Sequence, residues 1–520
     1  MALGLTAGVY CASALPAAAN TWIKAETEHF VIYSTNGESK TRDYASRLES
    51  FYKIADAFYG RLSQTQVADD NKAVFYYFGN VSAYRTVKPK IDTGAMIIDL
   101  SCRDGATHFW SADEGMGDDV SQEYQFESVT QILGNSYDAQ DMPKWLSKGL
   151  YLYLLTAEIK DGTVILGAPS HYQFTYYRGM LDEPVSLMGK NDRIPYAEVI
   201  SGKYSNPQKT ESLPGQSWII THYMLTDPNN LLKLYDYIDK FNAGMPSLDA
   251  WQAATRIDPT VFDGVTLDYM TKGVPVVTYK FQPLPAADVT IAPLGSYAED
   301  VPLLSAAAQT CPADGDGARI ETRLQTAASA APDDLYVQRE LARAQVLFDT
   351  DPGKAVPWLQ GRIAADAADH DAHYLLGRAF LRQAQAGGNA AGYSKARGEL
   401  GKAYTLNTTY APGLYYYAKS FADTADYPND NTLNAAEAAF DLVKDSDYRF
   451  YLAELYVRRE MFDDAKSLLE PFLNPASKAN GAVVARMITD AIDAKKPKDQ
   501  IVALFAQFSE YPNEPYKKPA

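Results

Sequence analysis

Metal binding, nucleophilic attack and phosphate cradling each need particular side chains at particular spacings, and few such sets occur in this chain. Six histidines are spread over 520 residues: His29, His108, His171, His222, His370 and His373. The first four stand singly, which is the pattern of structural or exposed histidines. His370 and His373 are three apart, but they fall in alanine-rich helical sequence and no metal pair is expected there. Cys11, Cys102 and Cys311 are too few for a disulfide scaffold. Cys102 and Cys311 are far apart in sequence, so one bridge and two free thiols both stay open. No Walker A loop, dinucleotide fingerprint or G-x-S-x-G elbow occurs. Asp314-Gly315-Asp316-Gly317 starts like a calcium loop but lacks the remaining ligands and the closing glutamate, so it reads as a turn. One further stretch, 124–155, YQFESVTQILGNSYDAQDMPKWLSKGLYLYLL, carries no histidine or cysteine.

The elements that would position these groups follow from periodicity. The run WIKAETEHFVIY over 22–33 alternates and ends in β-branched and aromatic residues, predicting a strand at 30–33. Over 40–62, Tyr44, Leu48, Phe51, Ile54, Ala55, Phe58 and Tyr59 form a helical stripe. Strands are expected at 73–78 and 94–100, and helices at 120–133 and 141–155, the latter with Pro143 in its first turn. A short strand-like run at 160–166 contains the Asp161-Gly162 turn. Helices follow at 217–225, 231–241 and 247–253. Residues 272–317 are rich in Pro and Gly and read as a connector.

Beyond about residue 318 alanine dominates and an internal repeat appears. LYVQRELARAQVL, AHYLLGRAFLRQA, GLYYYAKSFADTA and YRFYLAELYVRRE align on the small residues Ala342, Gly377, Ala418 and Ala453. A second helix follows, with its own small residue at Ala355, Ala396 or Ala465. This pattern resembles tetratricopeptide repeats, in which small side chains let two helices approach closely. The resemblance implies a concave groove lined by the first helix of each pair. In this register Arg343, Arg378, Lys419 and Glu454 point inward, joined by Arg339, Tyr374, Tyr415 and Phe450 one turn earlier. Such a groove would capture an acidic or C-terminal carboxylate segment and pack its apolar side chains on the aromatics.

The stretch 124–155 in turn resembles the peptidase-MA-like gluzincins, exported bacterial proteins of the kind that continue into tetratricopeptide repeats. Their zinc helix carries H-E-x-x-H, two histidines on one face with a glutamate that polarises the metal-bound water. A Pro-containing loop and W-x-x-E-G-x-x-x-Y then supply the third ligand. Pro143, Trp145, Gly149 and Tyr153 match the second part, with Tyr151 as a neighbouring aromatic. ETEHFVIYST and SWIITHYMLTDP are similar to other parts of that family. The ligands do not match. The histidine positions are Phe126 and Thr130, and the third-ligand position is Lys148; only the general-base glutamate survives, as Glu127. The resemblance therefore implies a pseudopeptidase with no metal and no cofactor, in which Glu127 is vestigial and pairs with Lys148 or faces solvent. The alternatives are an active zinc metallopeptidase with atypical ligands and a pure repeat scaffold.

Length and composition set the frame. At roughly 100–200 residues per domain, the chain holds two to four domains. A hydrophobic fraction of 46% and a charged fraction of 22% are enough for sizeable cores. The formal charge of −17 argues against nucleic acid, leaving a protein or peptide as the expected partner. Residues 1–19, apolar and ending in Ala17-Ala18-Ala19, fit a secretory signal peptide although a positive n-region is lacking, so export to a periplasm or the medium is expected. No stretch is long and apolar enough for a membrane span. The expected organisation is a signal peptide at 1–19, an α+β gluzincin-like domain at 20–280, a connector at 281–317, and an all-α tetratricopeptide-type superhelix with a C-terminal cap at 318–520.

Overall fold

The computed structural model describes residues 21–62, 72–79, 96–100, 107–112, 126–134, 137, 142–160, 163–168, 193–205, 212–280, 287–296, 300–310, 312, 315–473, 477–508 and 516. The signal-peptide segment, His171 and all three cysteines lie outside them.

The first half is built on a mixed six-stranded sheet. Its strands are β1 (Thr21–Glu26), β2 (Phe30–Ser34), β3 (Ala73–Phe78), β4 (Met96–Leu100), β5 (Thr107–Ala112) and, from far along the chain, β9 (Thr290–Ser296), in the order β4-β5-β3-β2-β1-β9. The central pairs β2–β3 and β3–β5 are parallel; β1–β2, β1–β9 and β4–β5 are antiparallel. A parallel pair needs a crossover, and α1 (Glu38–Leu62) supplies it between β2 and β3. Its stripe of Tyr44, Leu48, Phe51, Ile54 and Tyr59 is buried against one face of the sheet.

Strand alternation covers the other face as well. In AVFYYF, Phe75 and Tyr77 join the core under α1, while Tyr76 and Phe78 join a second core on the opposite side. That second core is closed by α9 (Val301–Gln309), α10 (Asp316–Ala330) and α11 (Leu335–Phe348). The stretch expected as a connector is thus an edge strand followed by a buried helix. Pro293 and Gly295 are tolerated because β9 is a sheet edge, and Pro302 because it opens a helix. The boundary between the halves is a shared core, and a first domain closed at residue 280 would lack one strand of its own sheet.

Below α1 lies the helical part of the first half. It comprises α2 (126–134), α3 (Lys144–Leu154), α4 (Tyr196–Ser201), α5 (Leu213–Thr226), α6 (Pro228–Asn242), α7 (Ser247–Thr255) and α8 (Phe262–Thr271). A small antiparallel sheet, β6 (Glu158–Lys160), β7 (Thr163–Leu166) and β8 (Val277–Lys280), flanks it.

From α11 onward the chain is a succession of helices, each packed on the next: α12 (Val356–Ala365), α13 (His370–Gly387), α14 (Ala390–Leu406), α15 (Ala411–Lys419), α16 (Asp430–Leu442), α17 (Ser446–Arg458), α18 (Phe462–Leu469), α19 (Asn480–Asp493) and α20 (Lys498–Phe505). The repeat register explains how they approach. Ala342, Gly377, Ala418 and Ala453 are buried on the first helices, and Ala355, Ala396 and Ala465 on or just before the second. At Gly377 an added Cβ would lie 2.6 Å from Leu400 Cγ, so the α13–α14 contact depends on the missing side chain. Among the described residues no helix is long and apolar enough to cross a membrane.

Candidate functional site

Two consecutive helices bring the expected catalytic positions together, and each position is occupied in a way that suits packing rather than metal. Phe126 is fully buried and stacks on Phe51 of α1, ring centroids 3.8 Å apart and 9° from parallel. Its ring is part of the core beneath the sheet. One turn on, Thr130 is 1% exposed and its hydroxyl donates to the Phe126 carbonyl at 2.7 Å, which satisfies it within its own helix. Between them, Glu127 accepts a short hydrogen bond from the Tyr151 hydroxyl of α3. Lys148 sits on the same turn of α3, its ammonium 4.8 Å from the Tyr151 ring centroid. Desolvation lowers the Lys148 pKa from its ordinary value, and the nearby Glu127 carboxylate pulls it back up.

The sequence expectation pairs Glu127 with Lys148 or leaves it to solvent. The structure shows a tyrosine as its hydrogen-bond partner, with the lysine as an electrostatic neighbour. Sequence reasoning gives Tyr151 no role beyond that of a neighbouring aromatic. The signal is its spacing: Tyr151 follows Lys148 by three residues, so both stand on one helical face opposite α2.

The residues that match the W-x-x-E-G-x-x-x-Y pattern hold α3 in place. Trp145 is fully buried, meets Trp251 edge-on at 5.7 Å, and donates from Nε1 to the Tyr237 hydroxyl at 3.1 Å. Tyr237 in turn bonds Ser247 Oγ at 2.8 Å. At Gly149 the backbones of α3 and α5 nearly touch: a Cβ there would meet Thr221 Oγ1 at 2.0 Å and the Ser217 carbonyl oxygen at 2.4 Å. Gly149→Ala is expected to destabilise the fold by about 1–3 kcal/mol through this overpacking. Adding Thr221→Ala should restore only part of the loss, because the Ser217 carbonyl is backbone; urea denaturation of both variants checks it.

His222, His373, His370 and His29 each make packing or hydrogen-bond contacts within the fold. His222 is fully buried; it contacts Gly167 O through Nε2 at 3.2 Å and Tyr269 Oη through Nδ1 at 2.9 Å. Burial pushes its pKa down to about 4, which keeps the ring neutral: Nε2–H donates to the carbonyl and Nδ1 accepts from the tyrosine. His373 is bound to Glu399 at 2.6 Å, whereas His370 packs edge-on against Tyr410 at 5.5 Å, so the pair converges on no common point. His29 stacks on Tyr52 and bonds Glu49 at 2.8 Å through Nδ1. With Glu28 these two form the one group of three ligand-type side chains found among the described residues, their atoms within 4.8 Å of one another. Both Glu49 oxygens are already engaged by His29, through its ring and its backbone N–H.

The expected groove residues of the array fall into three sets. Arg339 donates to Asp369 and Asp371 at 3.0 and 3.1 Å, and Arg343 to Glu340 and Asp371 at 3.2 and 2.8 Å. These two cations are neutralised inside the protein. Arg378 is 5% exposed, donates to the Tyr374 hydroxyl at 2.6 Å and lies 3.4 Å from the Tyr416 ring centroid. Lys419 stands 4.2 Å from the Tyr415 ring centroid and 5.1 Å from that of Tyr451, and burial pushes its pKa down to about 8. Tyr374, Arg378, Tyr416, Lys419 and Tyr415 thus form one cation–aromatic row that is joined through Tyr416 and is largely buried. Phe450 is apart from it, stacked on Phe508 at 3.9 Å and edge-on to Phe472. An open line of cations is not what the array presents; the first pair is consumed by the aspartates that open α13, which an alignment on small residues does not weigh.

No family model and no curated protein matches the chain. Among solved structures, a crystal structure described as a thermophilic TPR protein in Thermus thermophilus is 20% identical, covering 35% of this chain and 92% of that one with a TM-score of 0.29. A likeness that loose carries no argument about function.

Proposed function

We propose that this chain is an exported, non-catalytic binding protein, in which a degenerate gluzincin-like peptidase domain and a tetratricopeptide-type array hold a peptide or protein segment without cutting it. The observation that carries the reading is the occupation of the helix pair 126–134 and Lys144–Leu154. A metal at the midpoint of this pair would need three ligand side chains. It would meet a phenyl ring built into the core, a threonine bonded to its own helix and an ammonium group. Glu127, the one residue of the set able to serve as a general base, is held by Tyr151 instead of by a water on a metal. Neither zinc nor any other cofactor has a part in this reading, and the partner is a protein or peptide segment.

A pure repeat scaffold is the second reading, favoured by the core shared between the sheet and α9–α11, which makes the first half a cap on the array. The two differ in where a ligand touches. The test is metal content together with proteolysis on the full chain. We expect no stoichiometric zinc and intact peptide substrates after incubation; a metal-dependent cleavage abolished by Glu127→Gln sinks the reading.

A further inference from the structure

A cleft of about 710 Å³ opens between the two halves of the molecule, within the range of about 300–1,000 Å³ usual for ligand pockets. One wall is the outer side of the degenerate helix pair, with Lys144, Lys148 and Tyr151. The other comes from the array, with Lys444 and Arg449 around the start of α17 and Glu470 and Phe472 in the short turn after α18. Four cations and one carboxylate line the cleft; with Asp441 paired to Lys444 and Glu127 acting on Lys148 from outside the lining, the cleft keeps a positive excess on a chain whose formal charge is −17. Like charges facing each other across a protein-walled cleft repel, and the arrangement is relieved by an anion between them.

The array's cations are held in place. Lys444 is 3.1 Å from Asp441 and lies over the Phe440 ring at 4.4 Å; Arg449, 7% exposed, donates to the Leu468 carbonyl at 3.1 Å and lies 4.7 Å from the same ring. On the facing wall, Lys144 and Lys148 have exposed surface and no carboxylate within 4 Å among the described residues, while Glu127 acts on Lys148 electrostatically from farther off. They stand in the first turns of α3, a helix that starts without a side-chain cap, so its positive end adds to the field. Tyr151 and Phe472 give apolar surface on the two sides. A lone inorganic anion would fill a fraction of this volume and touch one wall. An extended segment with carboxylates alternating with apolar side chains satisfies both walls and the aromatics together.

We propose that this inter-half cleft, and not the concave row of the array, is where the chain captures an acidic peptide segment. The inference rests on the binding-protein reading and gives it a location and a ligand chemistry. The test is fluorescence anisotropy on the full chain with a labelled hexapeptide alternating glutamate and leucine, beside a glutamine–leucine counterpart, at low and raised salt. Wild type is expected to bind the glutamate peptide and to lose affinity with salt. Lys144→Glu with Lys148→Glu should weaken binding at least tenfold, and Lys419→Gln, in the array row, should leave it unchanged. Should the double variant melt earlier than wild type, Lys148→Gln alone, at an exposed position, should still weaken binding several-fold. No binding by wild type, equal binding of the glutamine peptide, or unchanged affinity in the folded variants overturns the proposal. Complete displacement by millimolar inorganic phosphate overturns it too, by assigning the cleft to a small anion. Mass spectrometry of the recovered peptide separates the two levels: cleavage contradicts the non-catalytic reading, whereas an intact peptide that does not bind contradicts this inference alone.

Discussion

Trp145→Ala is expected to destabilise the protein by about 3–5 kcal/mol, the range for removing a fully buried tryptophan. The indole is 0% exposed and is wedged between Trp251 and Tyr237, whose hydroxyl it supplies with a hydrogen bond. Truncation leaves a cavity on one side of α3 and takes away a donor inside the core. Because α3 also carries Lys148 and Tyr151, the Tyr151–Glu127 bond should loosen with it. Urea denaturation monitored by tryptophan fluorescence and circular dichroism measures the loss, and a change under about 1 kcal/mol would mean that the site relaxes around the gap far better than its packing implies.

The second large effect lies in the array. Asp369→Ala is expected to cost about 3 kcal/mol or more, because one buried carboxylate serves three partners. Its side chain is 5% exposed and receives Arg339 at 3.0 Å and Arg362 at 2.7 Å, while also capping α13 at the Ala372 N–H, 3.1 Å away. Removing it takes one of two carboxylates from each guanidinium, leaving Arg339 with Asp371 at 3.1 Å and Arg362 with Asp366 at 2.8 Å, and leaves the helix uncapped. Burial alone would raise its pKa, but the Arg339 hydrogen bond and the Ala372 N–H outweigh burial and hold it down to about 2. In an unfolded chain an aspartate titrates at about 3.9, so between these values the unfolded state binds more protons. The stabilisation is therefore complete above about pH 5 and is lost as pH falls through about 2. Melting temperatures of wild type and Asp369→Asn, which keeps an N-cap acceptor, followed from pH 6 to pH 2, should converge at the acid end; curves that stay parallel would mean that the charge of Asp369 contributes no stability.

How far these features are readable beforehand depends on whether they are local. The helix at Glu38–Leu62 and the strand at Ala73–Phe78 follow directly from apolar spacing, and the repeat register finds Ala342, Gly377, Ala418 and Ala453, all of them buried. The two helices around Glu127 are expected from periodicity at 120–133 and 141–155, and the structure has helices at 126–134 and Lys144–Leu154. Long-range pairing is not legible. Strand β9 joins β1 through partners such as Glu26 and Thr290, and a local reading of Pro293 and Gly295 argues for a loop. Strand β5 goes unpredicted as well. The Arg339–Asp369–Arg362 network is hidden for the same reason, since the charges that neutralise a groove residue come from the next repeat. The cleft between Lys148 and Arg449 depends on how the two halves meet, and no periodicity within either half encodes that.

The central proposal is that the helix pair around Glu127 holds no catalytic metal. It is tested most directly by elemental analysis of the purified full chain after exposure to excess zinc and extensive dialysis, with peptide cleavage assayed on the same sample. The account predicts no stoichiometric zinc and no cleavage above background, with Glu127→Gln indistinguishable from wild type in both. About one zinc per chain, lost together with peptidase activity in Glu127→Gln, would contradict it.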